Sequence, residues 1–320
     1  MSSNDMNVKV FDLQLFIDDE DEEDIAYKQK LQSLVNGTVT PSQAATGFDH
    51  WIVEGANNRL KWLEQRVDPR SLTAEEEESG MTMRVIAPNA SGKIEMVFPT
   101  IARLSTAFPP FHPGQDAIVQ FLEALRALPE HQVPDGIPSE DPSSRDYLMT
   151  LWPFGGNWMA LAEHFRREAD TYSYPYSDIE TLGSETRYRW RNFQSAIARI
   201  TALGLIDCSF LSALGDIVPS SRNYVDLEQR KVGGPNRLAG CAVAAAQWVM
   251  WPGEGLFVYQ QCKKVEKVSG PRDMWSRERW ELWKEQFTFV SEDERFDPEA
   301  RLVCKLSREQ MIGYEEEDGI

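Results

Sequence analysis

The sequence predicts an all-α protein: a single irregular helical-bundle domain around a central alanine-rich helix, with acidic flexible tails. Three observations carry this. Apolar residues recur at helical spacing along most of the chain. Proline or a capping Ser or Asp stands at the start of several of these stretches. Convincing strands and internal repeats are absent.

In chain order, a first helix is expected from about residue 25 to 36, where Asn36-Gly37 ends it. PSQAA (41–45) opens a second that continues to Leu63, with Pro at an early position. Residues 67–92 read as a loop holding an acidic run. KIEMVFPTIARLSTAF is a helical stretch that Pro99 should kink or split. FPPFHPG (108–114) reads as a rigid extended linker, and QDAIVQFLEALRAL (115–128) as an amphipathic helix. PEHQVPDGIPSEDPSS (129–144) contains four prolines and reads as a loop.

The second half is more strongly periodic. NWMALAEHFRREAD (157–170) sets Trp158, Leu161, Ala162, Phe165 and Ala169 on one face. RYRWRNFQSAIARITALGL (187–205) aligns Trp190, Phe193, Ile197 and Ile200. LAGCAVAAAQWVMW (238–251) is apolar all round, as a helix buried on every side must be. Pro252 should end it, and GEGLFVYQQCKKVEK should resume as helix. In WSRERWELWKEQF (275–287), Ser276 is the expected N-cap, and Trp280, Trp283, Phe287 and Val290 share one face. That face is expected to pack on the alanine-rich helix, with Glu281 pairing to Arg277 and Lys284 on the solvent side. A last helix starts at Asp297-Pro298. The domain organisation that follows is an acidic tail over 1–24, one helical domain over 25–312 and an acidic tail over 313–320.

Composition narrows the function classes. The 320 residues carry a net charge of −18, but the surplus is local. Residues 1–24 hold nine acids and one lysine, and EEEE (75–78) and EEED (315–318) hold four acids each. The remainder, 34 acids against 32 bases, is nearly neutral and forms no basic stripe, so nucleic acid is not an expected partner. The N-terminus has no signal-peptide pattern, and the longest apolar run is too short to span a bilayer. Cys208, Cys241, Cys262 and Cys304 are widely spaced, as reduced buried thiols of a cytoplasmic protein would be.

Motifs for nucleotide, zinc or serine-hydrolase chemistry are absent, so no cofactor and no metal are expected. DDEDE (18–22) fits a magnesium-binding pattern only formally and reads as solvated tail. Among four histidines, His164 lies one turn from Glu168; an exposed pair and a carboxylate-oriented general base share that spacing. Arg189 falls on the apolar face of its helix, where it either pairs structurally or clamps an anion or carbonyl. Gln247 is the strongly polar side chain of an otherwise apolar helix and must find a partner. Arg189 and Gln247 are expected to border one cavity with Trp190 and Trp248; His164, Glu168 and Arg189 are the catalytic candidates, and Trp190, Gln247 and Trp248 the substrate-binding candidates.

GGPNRLAGCAVAAAQWVMWPGEGLFVY, then WSRERWELWKEQF, then the Asp-Pro-Glu helix resemble the C-terminal half of fungal proteins of the domain of unknown function 3632 family. LQSLVNGTVTPSQAA and RWRNFQSAIARIT are similar to that family's N-terminal and central patterns, so the resemblance covers about 25–312. It implies a mostly helical fold from an ascomycete, sometimes encoded beside specialised-metabolism genes, and brings no catalytic residues. The functional expectation is a cofactor-free enzyme or small-molecule binder with an aromatic-lined pocket for an apolar or aromatic metabolite. The alternative is a helical interaction scaffold whose acidic tails meet a basic protein partner.

Overall fold

The computed structural model describes residues 9–141, 143–155, 159–172, 181–218, 234–270 and 273–319. They form twelve α-helices and one two-stranded sheet: α1 Glu22–Val35, α2 Pro41–Glu64, α3 Ala74–Glu78, α4 Met83–Ile86, α5 Ala90–Ala107, α6 Pro113–Arg126, β1 His131–Pro134, β2 Leu148–Leu151, α7 Met159–Tyr172, α8 Glu185–Ala202, α9 Gly234–Ala246, α10 Pro252–Cys262, α11 Arg277–Glu292 and α12 Pro298–Glu317. The all-α reading holds. Among the described residues no helix is long and apolar enough to cross a membrane.

Local chemistry accounts for the helix starts. Thr40 and Gln43 close a capping box ahead of Pro41 at the first turn of α2. Ser276 accepts from the Arg279 N–H at the start of α11, and Asp297 from the Ala300 N–H at the start of α12. Asp21, inside the DDEDE run, caps α1, and the neighbouring Glu20 pairs with Lys28.

Several expectations are corrected. The proline-rich segment after α6 contains β1, which pairs antiparallel with β2 in the register His131 to Leu151; Val133 and Leu151 are buried. Pro99 does not split α5. It removes one N–H from the helix ladder, and the burial of Val97, Phe98 and Ile101 around it favours continuation. The acidic run at 75–78 is itself helical, as α3. Trp158, expected on an apolar face, lies outside the described residues.

The chain divides into two compact units. The smaller comprises residues 15–101 and 116–158. Its core includes Leu31, Phe48, Ile52, Phe98 and Phe121. The Lys93 ammonium crosses Gly55 of α2, where a Cβ would collide with it, and donates to the Trp51 carbonyl at 3.2 Å. Asp49 accepts from the Trp152 indole N–H at 2.6 Å and lies 3.3 Å from the His131 ring, which ties the hairpin to α2.

The larger unit comprises residues up to 14, 102–115 and 159–320. Residues 238–249 of α9 and the turn after it are buried throughout. Helix α8 is nearly as enclosed, Arg187, Arg189 and Arg191 included. Helix α11 buries Trp280, Trp283, Phe287 and Val290 and packs chiefly on α12, with a smaller contact to α9. Trp275 links the two elements, its ring 6.0 Å from Trp248 and 6.1 Å from Trp283. Lys284 pairs with Glu281 at 2.8 Å, while Arg277 turns to Glu266.

Both acidic ends contribute to this unit. Phe11 is buried, and its N–H donates to the Ala107 carbonyl at 3.0 Å. Helix α12 runs through Glu317, so the three glutamates of the EEED run lie in it and Asp318 is its C-cap. Glu315 accepts from the Trp280 indole N–H at 2.7 Å and from Lys284 at 2.6 Å. Asp318 accepts from the Tyr259 hydroxyl at 3.0 Å and pairs with Lys263. Tyr314 donates its hydroxyl to the carbonyls of Trp251 and Pro252. A side chain at Gly255 would strike the Val249 carbonyl and that hydroxyl, so glycine is required where α9 turns into α10.

Candidate functional site

Arg189 is held on several sides. Its Nε donates to Glu185 at 2.7 Å, one nitrogen to Thr106 Oγ1 at 3.0 Å, and another to the Asp12 carbonyl at 2.7 Å. Its guanidinium also lies 5.2 Å from the centre of the Phe11 ring. Glu168 and Tyr172 of α7 belong to the same cluster. Burial raises the Glu168 carboxyl above its usual range, against the attraction of Arg103 and Arg189. His164, one turn earlier, is buried rather than exposed. This cluster fixes the N-terminal segment, the end of α5, α7 and α8 to one another. Arg189→Met is expected to cost about 2–3 kcal/mol, because buried Thr106 loses a charged donor and the bonds to Glu185 and the Asp12 carbonyl go with it. Urea denaturation of the purified variant measures it.

The other sequence candidates fall elsewhere. Trp248 donates its indole N–H to Gln194 Oε1 at 2.6 Å, and Gln194 in turn bonds the Ala213 N–H and the Leu211 carbonyl. Trp190 stacks on Phe193 at 6.0 Å, and its buried indole nitrogen has no hydrogen-bond partner among the described residues. Gln247 donates to the Val243 carbonyl at 3.1 Å and accepts from the Trp251 indole N–H at 3.0 Å. Arg189 and Gln247 share none of these bonding partners.

Gln247 leads instead to a second constellation, which the sequence reading missed. Phe111 has a backbone φ of 58°, the left-handed region that a bulky residue avoids, and is 45% exposed. FPPFHPG imposes this. Phe108 stacks on His112, whose Nδ1 accepts the Gly114 N–H at 3.0 Å, and a side chain at Gly114 would collide with the Phe108 ring. The turn therefore holds the Phe111 ring outward. Its edge meets Trp251, with ring centres 4.7 Å apart, and the Arg199 guanidinium lies 4.9 Å from its centre.

Arg199 is anchored from beneath. It donates to Gln115 Oε1 at 3.1 Å, which also accepts from Ser195 at 3.2 Å. The Gln115 amide nitrogen is fixed by the carbonyls of Phe108 and Asn192. Opposite stands Glu254, in the first turn of α10, with one oxygen 4.0 Å from Arg199 Nε. Burial pushes the Glu254 carboxyl above its usual range, opposed by a hydrogen bond to its own N–H and by the Arg199 charge. Two partly accessible rings thus frame a guanidinium and a carboxyl that is reluctant to ionise. Two weak signals in the sequence pointed here: paired prolines before an aromatic, and an acid just after Trp-Pro-Gly.

The four cysteines are buried and form no disulfide with one another, and burial drives the Cys262 thiol up to about 12. Among the described residues no group of histidines, cysteines and carboxylates is arranged to hold a metal ion.

The fold and this site define a mostly helical protein with a partly open aromatic cluster on a buried polar spine. The chain belongs to the family described as "Protein of unknown function (DUF3632)", whose pattern matches residues 98–287 and so spans Phe111, Arg199, Trp251 and Glu254. No curated protein and no solved structure matches it.

Proposed function

We propose that the protein is a small-molecule binder or cofactor-free enzyme of fungal specialised metabolism. On this reading it works in the cytoplasm and takes an apolar or aromatic metabolite at the Phe111–Trp251 rings. One observation carries the reading: a half-exposed aromatic ring is held in a costly backbone conformation beside a guanidinium and a buried carboxyl. Backbone strain of this kind costs about 1–3 kcal/mol and is typically found where a side chain must be aimed. The contacts with Trp251 and Arg199 still leave the Phe111 ring 45% exposed.

The test is deletion of the gene in its host with metabolite profiling, followed by complementation. Loss of defined metabolites, restored by the wild type but not by Phe111→Ala, supports the proposal. An unchanged metabolite profile favours the alternative, a helical scaffold for a basic protein partner. Folding of the purified variants separates function from stability. Phe111→Gly should stay within about 1 kcal/mol of the wild type, because relief of strain offsets lost contacts. A large drop in its denaturation midpoint would instead make Phe111 a structural residue.

A further inference from the structure

We infer that the Phe111–Trp251 site takes aromatic carboxylic acids, bound as carboxylates on the Arg199 guanidinium in place of Glu254. The inference rests on the reading of this place as a small-molecule site and names the chemical class of its ligand.

Three features of the geometry point to this class. The first is the fixed guanidinium. Gln115, itself held by two backbone carbonyls and Ser195, sets the position of Arg199 whatever Glu254 does. The second is the looseness of the resident carboxyl. At 4.0 Å, Glu254 makes an ion pair with Arg199 Nε without hydrogen-bond contact. A carboxylate free to approach closes that gap as a charge-assisted bond, which is shorter and stronger. The third is the sign of the charge. The face of Phe111 is already taken by Arg199, so a cationic ring would meet a like charge. The Trp251 indole N–H is committed to Gln247 and offers a ligand no donor. The rings therefore select an aromatic body, and Arg199 reads its acidic group.

Displacing Glu254 has a consequence for protons. The titratable groups that face it are the Arg199 guanidinium of α8 and, within electrostatic reach, the Tyr314 hydroxyl of α12, which burial keeps protonated. Its ionised form is already disfavoured by burial. A ligand carboxylate on Arg199 removes the attraction that opposed this, so Glu254 takes up a proton from solvent as the ligand binds. The bound state then holds more protons than the free state, and affinity must fall as pH rises through the Glu254 range.

The experiment uses the full chain, calorimetry in buffers of different ionisation enthalpy, and three probes of one shape: naphthoate, naphthamide and naphthylmethylamine. Naphthoate should bind at least about tenfold more tightly than the other two, with net proton uptake. Arg199→Met should remove that advantage, and Glu254→Gln should leave naphthoate binding independent of pH wherever the naphthoate itself is ionised. Where Arg199→Met melts early, Glu254→Gln decides alone: a persisting pH dependence overturns the inference. Equal or tighter binding of the amide or the amine overturns the carboxylate class and leaves the aromatic site standing. Failure of all three probes to bind overturns the site reading as well.

Discussion

Ending the chain at Ile312 should destabilise the larger unit by at least about 4 kcal/mol, the scale of a buried aromatic truncation with additional lost bonds. The cut removes Tyr314, which is buried and bonds the carbonyls of Trp251 and Pro252. It also removes Glu315, the acceptor for the buried Trp280 indole and for Lys284, and Asp318, the acceptor for Tyr259. Trp280 would keep its burial but lose its partner, which adds the cost of an unsatisfied polar group. Guanidinium denaturation followed by tryptophan fluorescence measures the change. A truncated chain with an unchanged midpoint would show that the last turns of α12 hold nothing. Tyr314→Ala alone separates the ring from the acidic residues after it.

Trp283→Ala is expected to cost about 3–5 kcal/mol, the range for removing a fully buried large aromatic. The Trp283 side chain is completely enclosed and abuts Trp275, which in turn meets Trp248 beside the alanine-rich helix. The cavity left would lie at a junction of α9, α11 and α12, where three elements must all move to close it. A near-wild-type midpoint in urea would mean that the site collapses freely and that the aromatic stripe is not core. Replacement by Phe should recover part of the loss, since it restores ring volume without the indole nitrogen, which has no hydrogen-bond partner among the described residues.

Much of the fold was legible in the sequence, because it depends on signals a single segment carries. Helical spacing placed Trp280, Trp283, Phe287 and Val290 on one buried face, and Ser276 and Asp297 announced their helices. What misled was charge. Asp21, Glu315 and Asp318 sit in acidic runs that look solvated, yet they cap or accept bonds. Their donors, Trp280, Lys284, Lys263 and Tyr259, lie 31 to 59 residues away for the C-terminal pair, beyond any local pattern. The hairpin was hidden for a related reason: four-residue strands among prolines gain their stability from α2, not from their own periodicity. The candidate site was legible only in part. Gln247 was found as a polar exception on an apolar helix, but Phe111, Arg199 and Glu254 come from three separated segments. Their meeting is a property of the fold.

Phe111 also bears on how this chain would respond to redesign. For the backbone as it stands, glycine is the residue that φ of 58° favours. A procedure that ranks substitutions by stability alone would therefore choose this position early and erase the ring with little penalty. The same procedure would leave Phe108 and Gly114, which build the turn, untouched, since replacing either disrupts packing. The outcome would be a protein of much the same stability, with an intact frame and nothing mounted in it. The separation between the residues that make the frame and the one residue it displays is what allows aromatic identity at 111 to be varied as an independent coordinate, from Phe to Tyr, Trp or His, on a scaffold that does not change.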